Sequence, residues 1–284
     1  AMTSDTLSKG FGKWSVITAV GLIFFAAISV ISTKERRIIV NNDKFSFKGA
    51  INVIKQNDQL LVFMLFAMIS NAGFYMTSGI SSYYFTSVLG DLTLQSKFNL
   101  MGTVGSVLAI LVVPVCSKFM NNRSIYKLSL SMAAVGYIGM AIMGYCIPGN
   151  VTLLGICYIL TSLGTGSMFV NQTVMLSDIV DYGEYKLGKR NQSLTFSMKG
   201  FLQKMAYTIQ TIILFSGLEI SHYNENLHYE NADEVKTAIS FMMLVAPAIL
   251  IILSLIVYTT KFKLHGKFME EITAQISKKQ EENI

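Results

Sequence analysis

SLTFSMKGFLQKMAYTIQTIILFSGL, residues 193–218, is a mostly apolar run that carries Lys199 and Lys204 and no acid. A hydrocarbon core about 30 Å thick is crossed by about 20 helical residues, so this run is long enough to span it. Counted from Ser193, Lys204 lies about eleven residues deep, or about 16 Å. An ammonium at mid-membrane depth costs about 2.5–3.5 kcal/mol on insertion scales, and it usually marks a substrate or ion pathway and has a partner. No apolar run of the chain offers Lys204 an acid. The pattern points to a transporter, and to one of which this chain is a part. Lys199 lies about five residues shallower, where it can snorkel toward the membrane surface. The two lysines project about 140° apart on an ideal helix and need not share a site. For Lys204 the choice is between a transport site and a structural pair with another helix.

Composition agrees with a polytopic membrane protein. The chain has 284 residues, 52% of them hydrophobic and 14% charged, whereas soluble domains have about a quarter charged. Six further apolar runs can be read beside residues 193–218. They are roughly Trp14–Ser32, Gln59–Phe85, Phe98–Val115, Ile125–Ile147, Val151–Leu176 and Thr237–Thr260. Lipid offers the backbone no hydrogen bonds, so these are expected to be helices. The fold class is therefore an all-α transmembrane bundle of about seven spans.

The net charge of +6 does not imply nucleic acid, because the charges flank apolar runs in alternate loops. Basic residues gather in 33–57, 116–124, 177–192 and 261–284, whereas 86–97 has only Lys97 and 219–236 has Lys236 among five acids. The positive-inside rule then places the C-terminal tail in the cytoplasm. Residues 1–13 are polar and read as an external loop rather than a natural start. Segment 33–57 reads as a connector at the cytoplasmic interface, with Phe47, Ala50, Ile51 and Ile54 on one helical face. Residues 58–260 then form one bundle. Glycine pairs such as Gly102 with Gly105, Gly136 with Gly139 and Gly164 with Gly166 suit close helix packing. Tyr83, Tyr84 and Phe85 read as part of an outer aromatic belt. Cys116, Cys146 and Cys157 match no metal or disulfide pattern and read as small apolar packers. No phosphate loop, nucleophile elbow or metal cluster is present, so an enzyme is not supported and no cofactor is expected.

Two further constellations carry candidate function. Asp178, Asp181 and Glu184 are spaced by three, and Lys186, Lys189 and Arg190 follow. Such a cluster is either a cytoplasmic gate, with several ion pairs acting together, or a solvated loop. Phe169, Asn171, Gln172 and Thr173 form a polar strip with an aromatic ring. Amides there can bond sugar hydroxyls or merely join helices, and Asn71, Thr77 and Ser78 have similar standing.

The stretch from Ser177 to Arg190, SDIVDYGEYKLGKR, resembles the signature loop of the glycoside–pentoside–hexuronide:cation symporters. Asn57-Asp-Gln-Leu-Leu61, Tyr83 to Asp91 and Lys263-Leu-His-Gly266 agree. The resemblance runs from about Gly10 to the tail and implies the last seven helices of a twelve-helix, major-facilitator-like carrier. It implies import of a sugar, in the first instance a galactoside, with Na⁺, Li⁺ or H⁺ across a bacterial cytoplasmic membrane. It places Lys204, Phe169, Gly200 and Gln203 at the sugar region. Phe169 stands where the melibiose carrier of this family has a tryptophan, and Lys199 and Gly200 also differ from that carrier. The family's cation site uses acids of the N-terminal helices, so an N-terminal half is an expected partner beside the sugar, a monovalent cation and the bilayer. The alternatives are a cation-independent facilitator of another solute and a non-transporting membrane sensor or partner subunit.

Overall fold

In the computed structural model, residues 4–32, 47–227 and 230–282 are described. They are helical almost throughout, with no strand among them. The chain divides into two compact units, residues 1–45 and 46–284. The first contains α1, Ser4–Ser32, an apolar helix whose described side chains are nearly all exposed. This helix already includes residues 4–13, which were expected to be a loop.

The second unit begins with α2, Phe47–Gln56, and continues with α3, Asp58–Tyr83. Ile54 of α2 packs on the core of the bundle, as its amphipathic spacing suggests. The expected connector charges Lys34, Arg36, Arg37 and Lys44 lie outside the described residues. α4 is Thr93–Cys116, α5 is Asn122–Cys146, α6 is Val151–Leu187 and α7 is Gln192–Ile220. α8, Asp233–Ser240, leads through one π-helical turn into α9, Ala246–Lys261. That turn, Phe241–Val245, comes just before Pro247, which has no N–H for the helical ladder. α10, Lys267–Glu282, closes the described chain.

Among the described residues, six helices are long and apolar enough to cross a membrane. α7 is the seventh expected span; its 29 residues are long enough, but Lys199, Gln203, Lys204 and Gln210 dilute its apolar character. α6 packs against α4 and α5, while α3 packs against α7 and α9. The close approaches explain the glycines. A Cβ on Gly105 of α4 would come within 2.4 Å of the Ile159 carbonyl oxygen of α6. One on Gly164 would come within 2.6 Å of α5 backbone atoms. Small residues let helices pack closely where lipid supplies no hydrophobic drive.

α6 continues eleven residues beyond the expected span end at Leu176, through the Asp178–Lys186 charges to Leu187. A hydropathy boundary marks where apolar surface ends, not where helical hydrogen bonding ends. The helix stops at Gly188, whose φ of 70° is left-handed and whose N–H bonds the Glu184 carbonyl at 2.9 Å. The aromatic belt also needs correction. Tyr84 and Phe85 are 1% and 0% exposed, because a π-helical turn over Tyr84–Val88 turns them into the core. Phe85 packs on Phe98, which stacks on Tyr158 at 4.1 Å. Cys116 and Cys157 are half-buried, whereas Cys146 is exposed and is not a packer.

Candidate functional site

α6 presents different chemistry on two sides. Asn171 and Gln172 are each 1% exposed. Gln172 Nε2 donates to Asn71 Oδ1 at 3.3 Å and to Tyr126 OH at 3.2 Å. Thr77 donates to Tyr137 OH at 3.1 Å in the same interior. These bonds join α3, α5 and α6, each contributing about 0.6 kcal/mol in a membrane bundle. Among the described residues, Asn171 has no hydrogen-bond partner at either amide atom. The sequence left both amides open to sugar contacts or to joining helices; the structure buries both, and Gln172 joins helices.

Phe169 and Thr173, one turn apart, lie on the other side of α6. Phe169 meets Phe74 and Tyr75 of α3, with ring centroids 5.1 and 6.5 Å apart. Tyr75 in turn meets Tyr207 of α7 at 5.7 Å. Lys199 of α7 donates from Nζ to the Thr173 hydroxyl. Three helices therefore present one aromatic and basic face. Its rings remain accessible: Phe74, Tyr75 and Phe169 are half-buried, and Tyr207 is exposed.

Lys204 is exposed, and its ammonium has no hydrogen bond or ion pair among the described residues. Helical geometry puts Gln203 in the stripe of Lys199 and Tyr207, with Gly200 and Lys204 bordering it. Gln203 is half-buried, and a Cβ on Gly200 would meet nothing within 4 Å. Of the expected sugar-site residues, Phe169 lies on this face by its ring contacts, while Gln203, Gly200 and Lys204 stand on or beside the α7 stripe that Lys199 and Tyr207 mark. Lys199 also reaches the face, bonded across to α6 rather than extended toward the surface. Sequence reading missed Phe74, Tyr75 and Tyr207. Spacing held a hint, since Tyr207 stands four residues after Gln203.

The charged end of α6 forms a second constellation. Arg190 Nη1 lies 2.9 Å from Asp181 Oδ1 and 2.6 Å from Glu184 Oε2. Among the described residues, Asp178 makes no ion pair. The charge that sequence reading missed is Asp58, at the first residue of α3. It accepts from Lys186 Nζ at 2.5 Å and from Tyr182 OH at 2.7 Å, both on α6. Its neighbours extend the link. Asn57 caps α3 by accepting from Leu60 N at 3.0 Å, and it donates to the Ile179 carbonyl at 3.3 Å. Gln59 accepts from Lys263 N at 2.8 Å. Residues 57–59 thereby tie α3 to α6 and to the segment after α9. That segment carries His265, which pairs with Arg123 at the start of α5. Burial, and then the Arg123 charge, hold His265 below the usual imidazole value. Its Nε2 then serves as the acceptor.

The sequence is similar to known proteins. Residues 9–266 match the family model described as MFS/sugar transport protein. The uncharacterized symporter YjmB of Bacillus subtilis is 23% identical over 90% of this chain and 55% of its own length. The lactose permease of Leuconostoc lactis is 23% identical over 95% of this chain and 42% of its own. The isoprimeverose transporter of Lactiplantibacillus pentosus is 27% identical over 82% of this chain and 49% of its own. The chain spans about half the length of the curated relatives it matches. With its all-helical bundle, the loop at 177–190 and a family match over most of its length, this chain belongs to the MFS/sugar transport protein family, among the glycoside–pentoside–hexuronide symporters.

Proposed function

We propose that this chain is the C-terminal portion of a secondary active sugar transporter that couples import of a glycoside to Na⁺, Li⁺ or H⁺. The observation that carries this reading is the accessible face of Phe169, Tyr75, Tyr207 and Lys199, with the exposed Lys204 bordering it on α7. Aromatic rings can stack on a pyranose face, and ammonium groups and amides bond its hydroxyls. Carriers of this kind place substrate near the bilayer midplane between repeated halves and alternate access around it. This chain supplies one wall; an N-terminal half supplies the other, together with the acids that hold the cation. Lys204 acts at the sugar region, with Phe169, Gly200 and Gln203 around it. Asp181, Glu184 and Arg190, joined by Asp58 and Lys186, form a gate at the cytoplasmic end, and Asp178 adds charge beside it. The tail faces the cytoplasm of a bacterial cell, because Lys and Arg concentrate on that side. A galactoside is the first substrate to test; the relatives' names include lactose permease and raffinose carrier protein.

The test is uptake of labelled galactosides into vesicles, with and without a Na⁺ gradient, by this chain alone and with its N-terminal half. Uptake that needs both halves and rises with the gradient is the expected result. Gradient-independent uptake identifies a facilitator. Sugar binding without flux identifies a sensor or partner subunit.

A further inference from the structure

We propose that the end of the bundle where α6 begins holds one anionic phospholipid, with Lys97 on its phosphate. There the first turns of α4, the turn after α5 and the first residues of α6 enclose an open cavity of about 500 Å³. Small-molecule sites measure about 300–1,000 Å³, so a lipid headgroup has room. Lys97 lines the cavity and is the one base of segment 86–97, while 148–150 has none. It is exposed and makes no hydrogen bond or ion pair among the described residues. The one acid of segment 86–97, Asp91, lies near enough to feel the Lys97 charge. Its Oδ1, however, is held by Thr93, from the N–H at 2.8 Å and from the hydroxyl at 2.6 Å. The three donors of the Lys97 ammonium are left for a ligand. Thr152, exposed on the α6 side of the same cavity, adds a hydroxyl for a second headgroup oxygen.

The other walls are apolar, with Leu94 and Met101 of α4 facing Ile147 and Val151. The side of α4 below Lys97 stays apolar and exposed at Val104 and Leu108. These lie about 10 and 16 Å deeper than Lys97 at 1.5 Å per residue. On α6, Ile156 is exposed one turn below Thr152. A cation at the rim, above an apolar track that runs into the membrane, fits a phosphate with acyl chains attached. A free phosphate uses the rim alone and leaves the track bare. The charge selects the lipid class. A lysine near an anionic membrane surface strengthens attraction by about fivefold. That favours phosphatidylglycerol over phosphatidylcholine, whose choline already offsets its phosphate.

The experiment is photolabelling of the complete carrier in phosphatidylcholine nanodiscs. A trace of photoreactive phosphatidylglycerol or, in parallel, of photoreactive phosphatidylcholine is added, and labelled peptides are read by mass spectrometry. Peptides covering 94–101 and 147–156 are expected to take the phosphatidylglycerol label about fivefold over the phosphatidylcholine label. Lys97→Gln should bring that ratio to about one, and Lys97→Arg should keep it. Lys118→Gln, past the other end of α4, should leave it unaltered. The ratio is taken within each variant, so a lower protein yield does not blur it. Excess glycerol phosphate, a headgroup without chains, should not displace the label. Displacement would assign the cavity to a soluble phosphate and overturn the inference. Equal labelling by both lipids in wild type, or a ratio that survives Lys97→Gln, overturns it as well. No label on these peptides means that another part of the carrier covers the cavity, and it too overturns the inference.

Discussion

At the tip of α6, Lys186 and Arg190 reach carboxylates of the same chain, 2.5 Å to Asp58 and 2.6 Å to Glu184. Near the middle of the bundle, Lys199 reaches only the Thr173 hydroxyl, and Lys204 reaches no side chain among the described residues. The charges at the tip are largely balanced inside the chain, while those on the open face await something outside it. A charge already paired locks helices together. A charge held without a counter-charge in a weakly hydrated place favours an arriving anion or polar group, which recovers lost solvation.

The contrast breaks most directly at Lys204. Lys204→Ala in the complete carrier is expected to lower uptake by at least about 30-fold, since one lost charged contact in a desolvated site costs about 2 kcal/mol or more. Lys199→Ala should be milder for a neutral sugar. Initial rates in proteoliposomes check both, and full activity in both variants would mean the open face is not the site.

At the tip the effect is smaller. Asp58→Asn leaves Lys186 without its carboxylate, but both partners are about half exposed, at 40% and 50%. The expected loss is under about 1 kcal/mol. It should appear as a small fall in melting temperature and as faster labelling of a cysteine placed near Asp58. A collapse of the fold would mean that the pair is more than a surface contact.

Gln172→Leu sharpens the same comparison within α6. If Gln172 serves only the interior, it should cost about 0.6 kcal/mol per lost bond and leave sugar selectivity unaltered. A tenfold change in sugar affinity, measured by competition, would return Gln172 to the site. The smallest expected effect is a pH dependence at His265. Its folded value is lowered from 6.5, so its contribution is fully present above that pH and is lost as pH falls through the depressed value. Melting curves of wild type minus His265→Gln, from pH 8 to about 5, should be flat above about pH 6.5 and fall below it.

Much of this architecture is legible along the chain. Apolar runs of membrane length mark the helices, and of the glycines that look like packing residues Gly105, Gly136, Gly164 and Gly166 meet neighbouring backbone, while Gly102 and Gly139 meet side chains. The site is only partly legible. Hydropathy does not orient a helix buried on several sides, so Asn171 and Gln172 looked as available as Phe169 and Thr173. The Asp58–Lys186 pair joins residues 128 positions apart, and no local pattern encodes such a meeting. Tyr84 and Phe85 have the composition of an interfacial belt, yet one π-helical turn carries them into the core.

α6 has one consequence as a rigid rod. Its 37 residues span about 55 Å at 1.5 Å each, well beyond a hydrocarbon core of about 30 Å. The eleven residues past Leu176 form an arm about 16 Å long, and a tilt of about 10° at its base sweeps the tip by about 3 Å. Asp58 sits on another helix, so that sweep is more than a 2.5 Å contact can follow. α10 packs on the same arm, with Phe268 against Tyr182, and rides with it. A rearrangement too small to see around the Phe169 ring is thus amplified into a break at the far end, where it can be recorded.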